Sequence, residues 1–383
     1  MREVLNVPQG WESIKLNEVL EYEQPTKYLV KTENYDNAFN TPVLTAGKTF
    51  ILGYTDEKDG IFKSNLPVII FDDFTTSSKF VDFNFKAKSS AMKILKLKDN
   101  LANIKLVFEL MQKLNFAPEE HKRHWISTYS KLKINLPKSK KEQEKIAEIL
   151  SEVDSAIEHA QALHVKHQKV KTALMQDLLT HGIDQHGKIR NPKTHAYKPS
   201  LLGDVPVEWD VKELQKILKI GSGQDYKFLQ EGAIPVYGTG GYMTSVNNFL
   251  YDGESVCIGR KGTIDNPMYL EGKFWTVDTL FYTHKFKQSV PKYIYYVFQN
   301  INWKLYNEAS GVPSLSKTTI ENIQIKIPQQ EEQQKIAQIL SSHDDKIEKV
   351  KTKLEKLQQL KTALMQDLLN GTKRVNHLLG EEQ

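Results

Sequence analysis

The sequence predicts an α+β protein: two globular blocks of mixed β-sheet and helix, joined by two long coiled-coil helices and related by a pseudo-twofold internal repeat. Three observations carry that expectation. First, KTALMQDLL runs from Lys171 to Leu179 and again from Lys361 to Leu369, 190 positions later. The same offset aligns Gln143, Lys145–Ala147, Ile149–Ser151, Asp154, Ile157 and Glu158 with Gln333, Lys335–Ala337, Ile339–Ser341, Asp344, Ile347 and Glu348. Nine consecutive identities exceed what shared amphipathicity produces, so the chain contains a duplication, and a repeat steers the fold. Second, each copy lies in about forty residues free of Pro and Gly, with apolar residues at alternating steps of four and three, the seam of a coiled coil. Third, a run of short β-rich segments precedes each copy, and both runs open alike, with Val7-Pro8-Gln9-Gly10-Trp11 and Val205-Pro206-Val207-Glu208-Trp209.

The first block, 1–140, opens with a short helical pattern over Ile14–Leu20. Strands are expected over Thr41–Leu44, Thr49–Tyr54, Leu66–Phe71 and Phe80–Phe85, separated by Gly, Asp, Asn and Ser, as turn chemistry requires. Ala102–Leu114 reads as a helix with Leu106, Leu110, Met111 and Leu114 on one face,. Leu132–Leu136 closes the block as a strand that stops at Pro137.

The first long helix, 141–182, carries a seam of Ile146, Leu150, Val153 and Ile157; the second, 329–371, carries Ile336, Leu340, Ile347, Val350, Leu354 and Leu357. At 1.5 Å per residue each is roughly 60 Å long. His181-Gly182 and Asn370-Gly371 end them, as helix stop signals do. Two apolar stripes of that length are expected to pack on each other. His164 and His167 hold the seam positions that Leu354 and Leu357 hold in the second copy. With His159 nearby a metal site is conceivable, but imidazoles that mark register or bond across the seam are the preferred reading, and no metal is expected.

Residues 183–204 are polar, with Pro192 and Pro199, and are expected to be a linker. The second block, 205–328, opens with a helical pattern over Leu214–Leu218 and is richer in glycine. Ser255–Gly259 reads as a strand running into the tight basic turn Gly259-Arg260-Lys261-Gly262-Thr263, and Phe274–Tyr282 as another strand. A helix over Tyr293–Phe298, a loop at Gly311–Ser314 and a closing strand at Ile323–Ile327 follow; 372–383 is a tail.

Composition narrows the class. Of 383 residues 39% are hydrophobic and 26% charged, ordinary for globular protein. The longest apolar runs, such as Val68–Phe71, are far too short to span a bilayer,. The polar start after Met1 and the single cysteine, Cys257, suit a soluble protein of the reducing cytoplasm,. Charge is uneven: residues 79–140 carry a net +9 and 256–328 a net +4, whereas 141–182 sums to −2 and 331–383 to zero. Nucleic acid is attracted to the first kind of region.

Motifs for catalysis were tested in turn. Gly47-Lys48-Thr49 lacks the earlier glycine of a phosphate-binding loop, because Pro42 stands there,. Asn266-Pro267-Met268-Tyr269 is one residue from the motif with which adenine methyltransferases hold a flipped base, but no cofactor loop precedes it, and a turn entering a strand is the better reading. Asp72-Asp73 has no acidic-x-Lys partner of a metal nuclease and reads as a turn. No Cys/His cluster has zinc spacing,. The chain is expected to be a binding and spacing device without chemistry of its own.

Two unlike globular blocks, each followed by a near-identical long helix, resemble the specificity subunit of type I restriction–modification enzymes. The resemblance covers essentially the whole chain. It rests on Pro137…Glu142-Gln143…Lys145-Ile146-Ala147 and Pro328…Glu332-Gln333…Lys335-Ile336-Ala337, with Leu174–Leu179 and its copy, the openings Pro8…Trp11 and Pro206…Trp209, and Gly259–Ile264 with Phe274–Thr279. It implies that each block is a target recognition domain reading one half of a split, asymmetric sequence in double-stranded DNA. The two long coiled-coil helices would pack antiparallel as a spacer on which two modification (methyltransferase) subunits dock, joined by restriction subunits. Cofactors would belong to those partners (S-adenosylmethionine, ATP and Mg), with none in this chain. The alternatives weighed against it are an adenine methyltransferase fused to a recognition domain and a non-catalytic coiled-coil scaffold.

Candidate contact residues follow from loop position and chemistry. Arg260 bonds a guanine edge or a phosphate and Lys261 a phosphate. Thr239, Gly240 and Tyr242 form one loop, Ser310, Gly311 and Ser314 another. In the first block the candidates are Thr45, Lys48, Lys79, Ser89 and Ser90, with Lys122 and Arg123 for phosphates. There Phe71-Asp72-Asp73-Phe74-Thr75-Thr76 replaces the basic turn.

Overall fold

The computed structural model describes residues 7–47, 49–118 and 122–379, which leaves the candidate Lys48 outside the described residues. The chain forms two compact units: Met1–Gln161 with Lys353–Gln383, and Ala162–Thr352. The domain boundaries expected above give each long helix to itself; instead both helices are divided between the units. Packing is the reason, because the ends of each helix carry core residues of the globular blocks.

In the first unit the strands are β1 (Trp11–Lys15), β2 (Leu20–Glu23), β3 (Thr41–Leu44), β4 (Ile51–Thr55), β5 (Val68–Asp72), β6 (Ser78–Val81), β7 (Lys86–Ala87), β8 (Met92–Leu97) and β9 (Lys133–Pro137). One sheet runs β2-β8-β5-β6, antiparallel throughout. A second runs β4-β3-β7, antiparallel between β3 and β4 and parallel between β3 and β7. β1 pairs with β9, so the block's first and last strands close it. The helical pattern over Ile14–Leu20 shrinks to one turn, α1 (Leu16–Val19), between β1 and β2. Helix α2 (Ile104–Gln112) starts at Asn103, whose side chain accepts from the Leu106 amide, an N-cap contact. Strand β8 has no counterpart among the expected elements. Its sequence MKILKL places lysines in what became a central strand, and Lys93 is buried there against Asp73 at 3.4 Å.

The second unit repeats this plan. Its strands are β10 (Tyr197–Lys198), β11 (Val205–Pro206), β12 (Asp210–Glu213), β13 (Lys219–Ser222), β14 (Glu231–Gly238), β15 (Gly241–Val246), β16 (Tyr251–Asp252), β17 (Ser255–Gly259), β18 (Met268–Leu270), β19 (Lys273–Thr276), β20 (Leu280–His284) and β21 (Gln324–Ile327). The sheets run β13-β20-β17-β18 and β15-β14-β19-β16, with β12 paired to β21. Strand order and sense match those of the first unit, except that β16 adds an edge strand to the second sheet and the β10–β11 pair has no counterpart. The run Phe274–Tyr282, expected as one strand, is two strands in different sheets, since the chain turns at 277–279. Asn266-Pro267 is the approach to β18. Residues 183–204 are not a bare linker: Ile183 bridges Ile189, and β10 pairs with β11.

Helix α3 (Lys140–Thr180) precedes the second block, which contains α4 (Leu214–Ile217), α5 (Pro291–Asn300) and α6 (Lys317–Glu321); α7 (Gln330–Leu369) follows it. Gly182 and Gly371, at φ +65° and +64°, stop the long helices, and neither position tolerates a side chain readily. A methyl group on Gly182 would lie 2.1 Å from Glu332 Oε1 and one on Gly371 2.7 Å from Pro8.

The repeated residues of these helices have the same task in each unit. Gln143 donates to the carbonyls of Pro137 at 2.8 Å and Leu101 at 3.1 Å and accepts from Asn103 N at 2.8 Å. Gln333 donates to Pro328 at 2.8 Å and Gln288 at 3.0 Å and accepts from Val290 N at 2.8 Å. Within the first unit Asp154 meets Lys361 at 2.6 Å, and Glu142 takes both Nε and Nη2 of Arg374 at 2.6 and 2.8 Å. Within the second, Lys171 meets Asp344 at 2.5 Å, and Glu332 takes Nη1 and Nη2 of Arg190 at 2.5 and 3.1 Å. In both units the partner number falls as the helix number rises, so the paired segments run antiparallel.

The seam is only partly a helix-to-helix seam. Ile146 and Leu150 are fully buried in the core of the first block, with Leu368 and Leu369 beside them. Ile336 and Leu340 are buried in the core of the second, with Leu178 and Leu179. Val153, Ile157, Ile347, Val350, Leu354 and Leu357 are half-buried. The heptad stripe is therefore divided: its ends are core of the blocks, and the residues between are half-buried. The Nδ1 atoms of His164 and His343 are buried without a hydrogen-bond partner, so the bond across the seam expected of His164 is not made through Nδ1. Burial and Lys346 and His167 hold the His343 imidazole below its usual value. Among the described residues no helix is long and apolar enough to cross a membrane.

Candidate nucleic-acid interface

In the second unit three loops meet. Strand β17 ends at Gly259, where a Cβ would lie 2.0 Å from Thr263 O, so the turn that follows depends on glycine,. The crossing segment before α6 is bonded to that turn: Gly262 N donates to Pro313 O at 2.8 Å, Leu315 N to Arg260 O at 2.9 Å, and Lys261 bridges Ser314. Asn307 closes the same segment on itself, accepting from Ser314 N at 2.9 Å and Ala309 N at 3.2 Å and leaving Ser310 and Gly311 exposed. The β14–β15 hairpin supplies the third loop, for a methyl on Gly262 would stand 3.7 Å from Thr239 Oγ1. Tyr242 lies on that hairpin, 63% exposed, with its hydroxyl 3.1 Å from Ser245 Oγ. Thr239, Gly240, Tyr242, Arg260, Lys261, Ser310, Gly311 and Ser314, scattered in sequence, thus lie on three adjoining loops.

The Arg260 guanidinium lies 5.9 Å over the Phe281 ring. A cation held on an aromatic face loses little further freedom when it binds. A cavity of about 600 Å³ elsewhere in the unit is lined by linker residues and α7, whereas Arg260, Lys261 and Ser314 line one of about 440 Å³ with Ser222, Glu308 and Lys317. Those last three residues escaped the sequence reading. The carboxylate of Glu308 accepts from Thr319 Oγ1, and the Thr319 and Ser316 hydroxyls hold it below the usual carboxylate range. The surface therefore offers a fixed anion beside three cations, Arg260, Lys261 and Lys317, where base edges present both acceptors and amino donors.

In the first unit the corresponding loops also converge. Lys88 N bonds Leu44 O at 2.9 Å, which sets the 88–91 turn beside the β3–β4 loop; Asp73 N bonds Ala91 O at 3.4 Å, which sets the 72–77 turn beside that. The segment 122–125 joins them: His124 N donates to Asp73 O at 2.9 Å, and Asp73 Oδ1 accepts from Trp125 N at 2.8 Å. Asp72-Asp73 is thereby a structural turn, with Asp72 Oδ1 accepting from Phe74 N at 2.9 Å. Among the described residues no group of three or more His, Cys, Asp or Glu is placed to hold a metal.

Ser90, Lys122 and Arg123 are exposed on these loops. Thr45 and Ser89 shape them instead: Thr45 Oγ1 donates to Thr49 O at 2.6 Å, and Ser89 Oγ accepts from Ala91 N at 3.1 Å. Lys79 is exposed on the edge strand β6, not on a loop. The net charge of 79–140 overstates what faces outward. Lys86 is buried against Glu57 at 2.9 Å, Lys93 against Asp73, and Lys105 bonds both Glu109 and Asp154 at 2.6 Å. Burial alone would raise the Glu57 carboxyl; Lys86 and the amides of Lys31 and Thr32 outweigh it and hold the group down at about 2.

Known proteins share this plan. The family model for the type I restriction modification DNA specificity domain matches twice, over residues 8–167 and 206–359. The chain is 34% identical over 370 residues to the type I restriction enzyme EcoR124I/EcoR124II specificity subunit of Escherichia coli, covering 87% of this chain and 86% of that one. It is 24% identical over 425 aligned positions to the type I restriction enzyme MjaVIII specificity subunit of Methanocaldococcus jannaschii, covering 98% and 95%. In fold it is similar to the crystal structure of the type I restriction-modification system S subunit from M. genitalium, with a TM-score of 0.72 at 18% identity over 96% of this chain and 98% of that one.

Proposed function

The chain belongs to the family of type I restriction–modification specificity subunits, with two DNA recognition domains, and from that premise we propose that it supplies the address of such a complex without chemistry of its own. Each block reads one half of a bipartite, asymmetric duplex target. Two modification subunits bring S-adenosylmethionine and methylate adenine; restriction subunits bring ATP, Mg and cleavage. The place of work is the cytoplasm.

The observation that carries this reading is a shared frame with unlike loops. The four-stranded sheets β2-β8-β5-β6 and β13-β20-β17-β18 have the same strand order, yet Gly259-Arg260-Lys261-Gly262-Thr263 in one block stands where Asp72-Asp73-Phe74-Thr75-Thr76 stands in the other. A common scaffold with divergent contact loops is what two different half-sites require. Loop backbone and lysines hold phosphates, while Arg260 is suited to a guanine edge.

Co-expression with the neighbouring modification genes tests it. Methylome sequencing is expected to reveal a bipartite modified-adenine motif, and the chain is expected to pull down a methyltransferase. Failure of both would remove this function.

A further inference from the structure

Each unit presents one arginine on one aromatic ring where the turn meets the crossing segment, but the two residues come from exchanged elements. In the second unit the turn after β17 supplies Arg260 and the sheet supplies Phe281. The crossing segment contributes backbone contacts to that turn, among them the bond from Leu315 N to Arg260 O, but not the arginine. In the first unit the equivalent turn after β5 contains no Lys or Arg between Asp72 and Ser77. It carries instead a ring, Phe74, 39% exposed, and the guanidinium over that ring at 5.9 Å is Arg123 of the crossing segment. The crossing segment is again bonded to the turn, here by His124 N and Trp125 N on Asp73, which the buried Lys93 backs at 3.4 Å.

We propose that Arg123, seated on Phe74, is the base-reading arginine of the first block and takes a guanine in its half-site, not a phosphate. This rests on the DNA-reading function proposed above. A phosphate contact needs a positive charge and little orientation. A guanidinium held near a ring by cation–π attraction is restrained in position, and its planar fork of N–H donors matches guanine O6 and N7 in a bidentate pair. An exposed phenylalanine at the tip of a polar turn is otherwise poorly explained, whereas as the support of Arg123 it has a use. The anchor at Asp73 keeps the two together, since turn and crossing segment cannot part without uncovering a buried carboxylate.

The test is a binding selection from a pool of randomised duplex DNA by the full chain assembled with its modification subunits. Wild type is expected to enrich two half-sites. Arg123→Ala and Arg123→Lys are both expected to lose discrimination for one guanine, by roughly 10- to 100-fold, in the half-site that Arg260→Ala leaves intact. Phe74→Leu is expected to relax the same position partly, with unchanged melting. A motif unaltered by Arg123→Ala overturns the assignment. So does full recovery with Arg123→Lys, the mark of a phosphate contact, or relaxation in the half-site that Arg260 reads. If wild type enriches no bipartite sequence, the DNA-reading function falls, and this assignment with it.

Discussion

Asp154 shows how a repeated residue is tied to an unrepeated one. Its carboxylate lies 2.6 Å from Lys361 of the duplicated helix and 2.6 Å from Lys105 of the first block, which also holds the buried Glu109. Burial alone would raise this carboxyl; the hydrogen bonds from Lys105 and Lys361 outweigh it and hold the group below its usual value. A depressed carboxylate stabilises the fold above its unfolded value of about 3.9 and loses that contribution as pH falls through the lower folded value. Asp154→Asn is therefore expected to cost about 1–3 kcal/mol at pH 7. Urea titrations should find the gap from wild type closing only as pH falls below about 4; a gap independent of pH would contradict the charge network. In the second unit the equivalent Asp344 keeps the repeated lysine, Lys171 at 2.5 Å, but its partner from the block is the Tyr296 hydroxyl at 2.7 Å in place of a lysine. There Tyr296→Phe should cost about 1 kcal/mol with no acid dependence of that size.

At the scale of elements, the start of each long helix is clamped twice. Gln143 and Gln333 hold the helix to the block in front of it, while Glu142 and Glu332 hold the chain arriving from the other long helix. Glu332 does more than Glu142: besides Arg190 it accepts from Ile183 N at 2.8 Å and Trp209 Nε1 at 3.1 Å, whereas Trp11 Nε1 is buried without a partner. Glu332→Ala should therefore destabilise its unit by about 3–5 kcal/mol, leaving a buried arginine and indole unpaired, and Glu142→Ala should cost less. Separate denaturation transitions of the two units would measure both. The duplicated nonapeptide and the heptad spacing made the long helices legible in sequence, because a 3.6-residue period persists over forty positions. Strand β8 was not legible, since Lys93 is paired to an aspartate twenty residues earlier in the chain. Nor was the split at 277–279, where one continuous aromatic run serves two sheets. In the interface the basic turn could be read directly, but Lys317 and Ser222 join it only through folding. Phe74 gave no signal because its partner, Arg123, lies 49 positions on.

At the scale of the whole molecule, connectivity bears on the target itself. Helix α3 begins in the first unit and ends in the second; α7 begins in the second and ends in the first. The two blocks are therefore joined by the same two stretches of helix, each with a neutral or slightly acidic balance, while the positive excess lies in residues 79–140 and 256–328 of the blocks. Salt should weaken DNA binding through the blocks, with log affinity falling linearly against log salt. If Lys261 holds a phosphate as proposed, Lys261→Ala should lower the slope by about one unit. Helix length should act on a different property. One heptad inserted into both helices between 161 and 162 and between 352 and 353 keeps the seam in phase, because the apolar period is seven. It adds about 10 Å of helix, or about three base pairs of duplex at 3.4 Å per step. The methylome of such a variant is expected to keep both half-sites and lengthen the gap between them, or to lose methylation altogether if the partners no longer dock. An unchanged gap with full methylation would show that spacing is set elsewhere than in the paired helices.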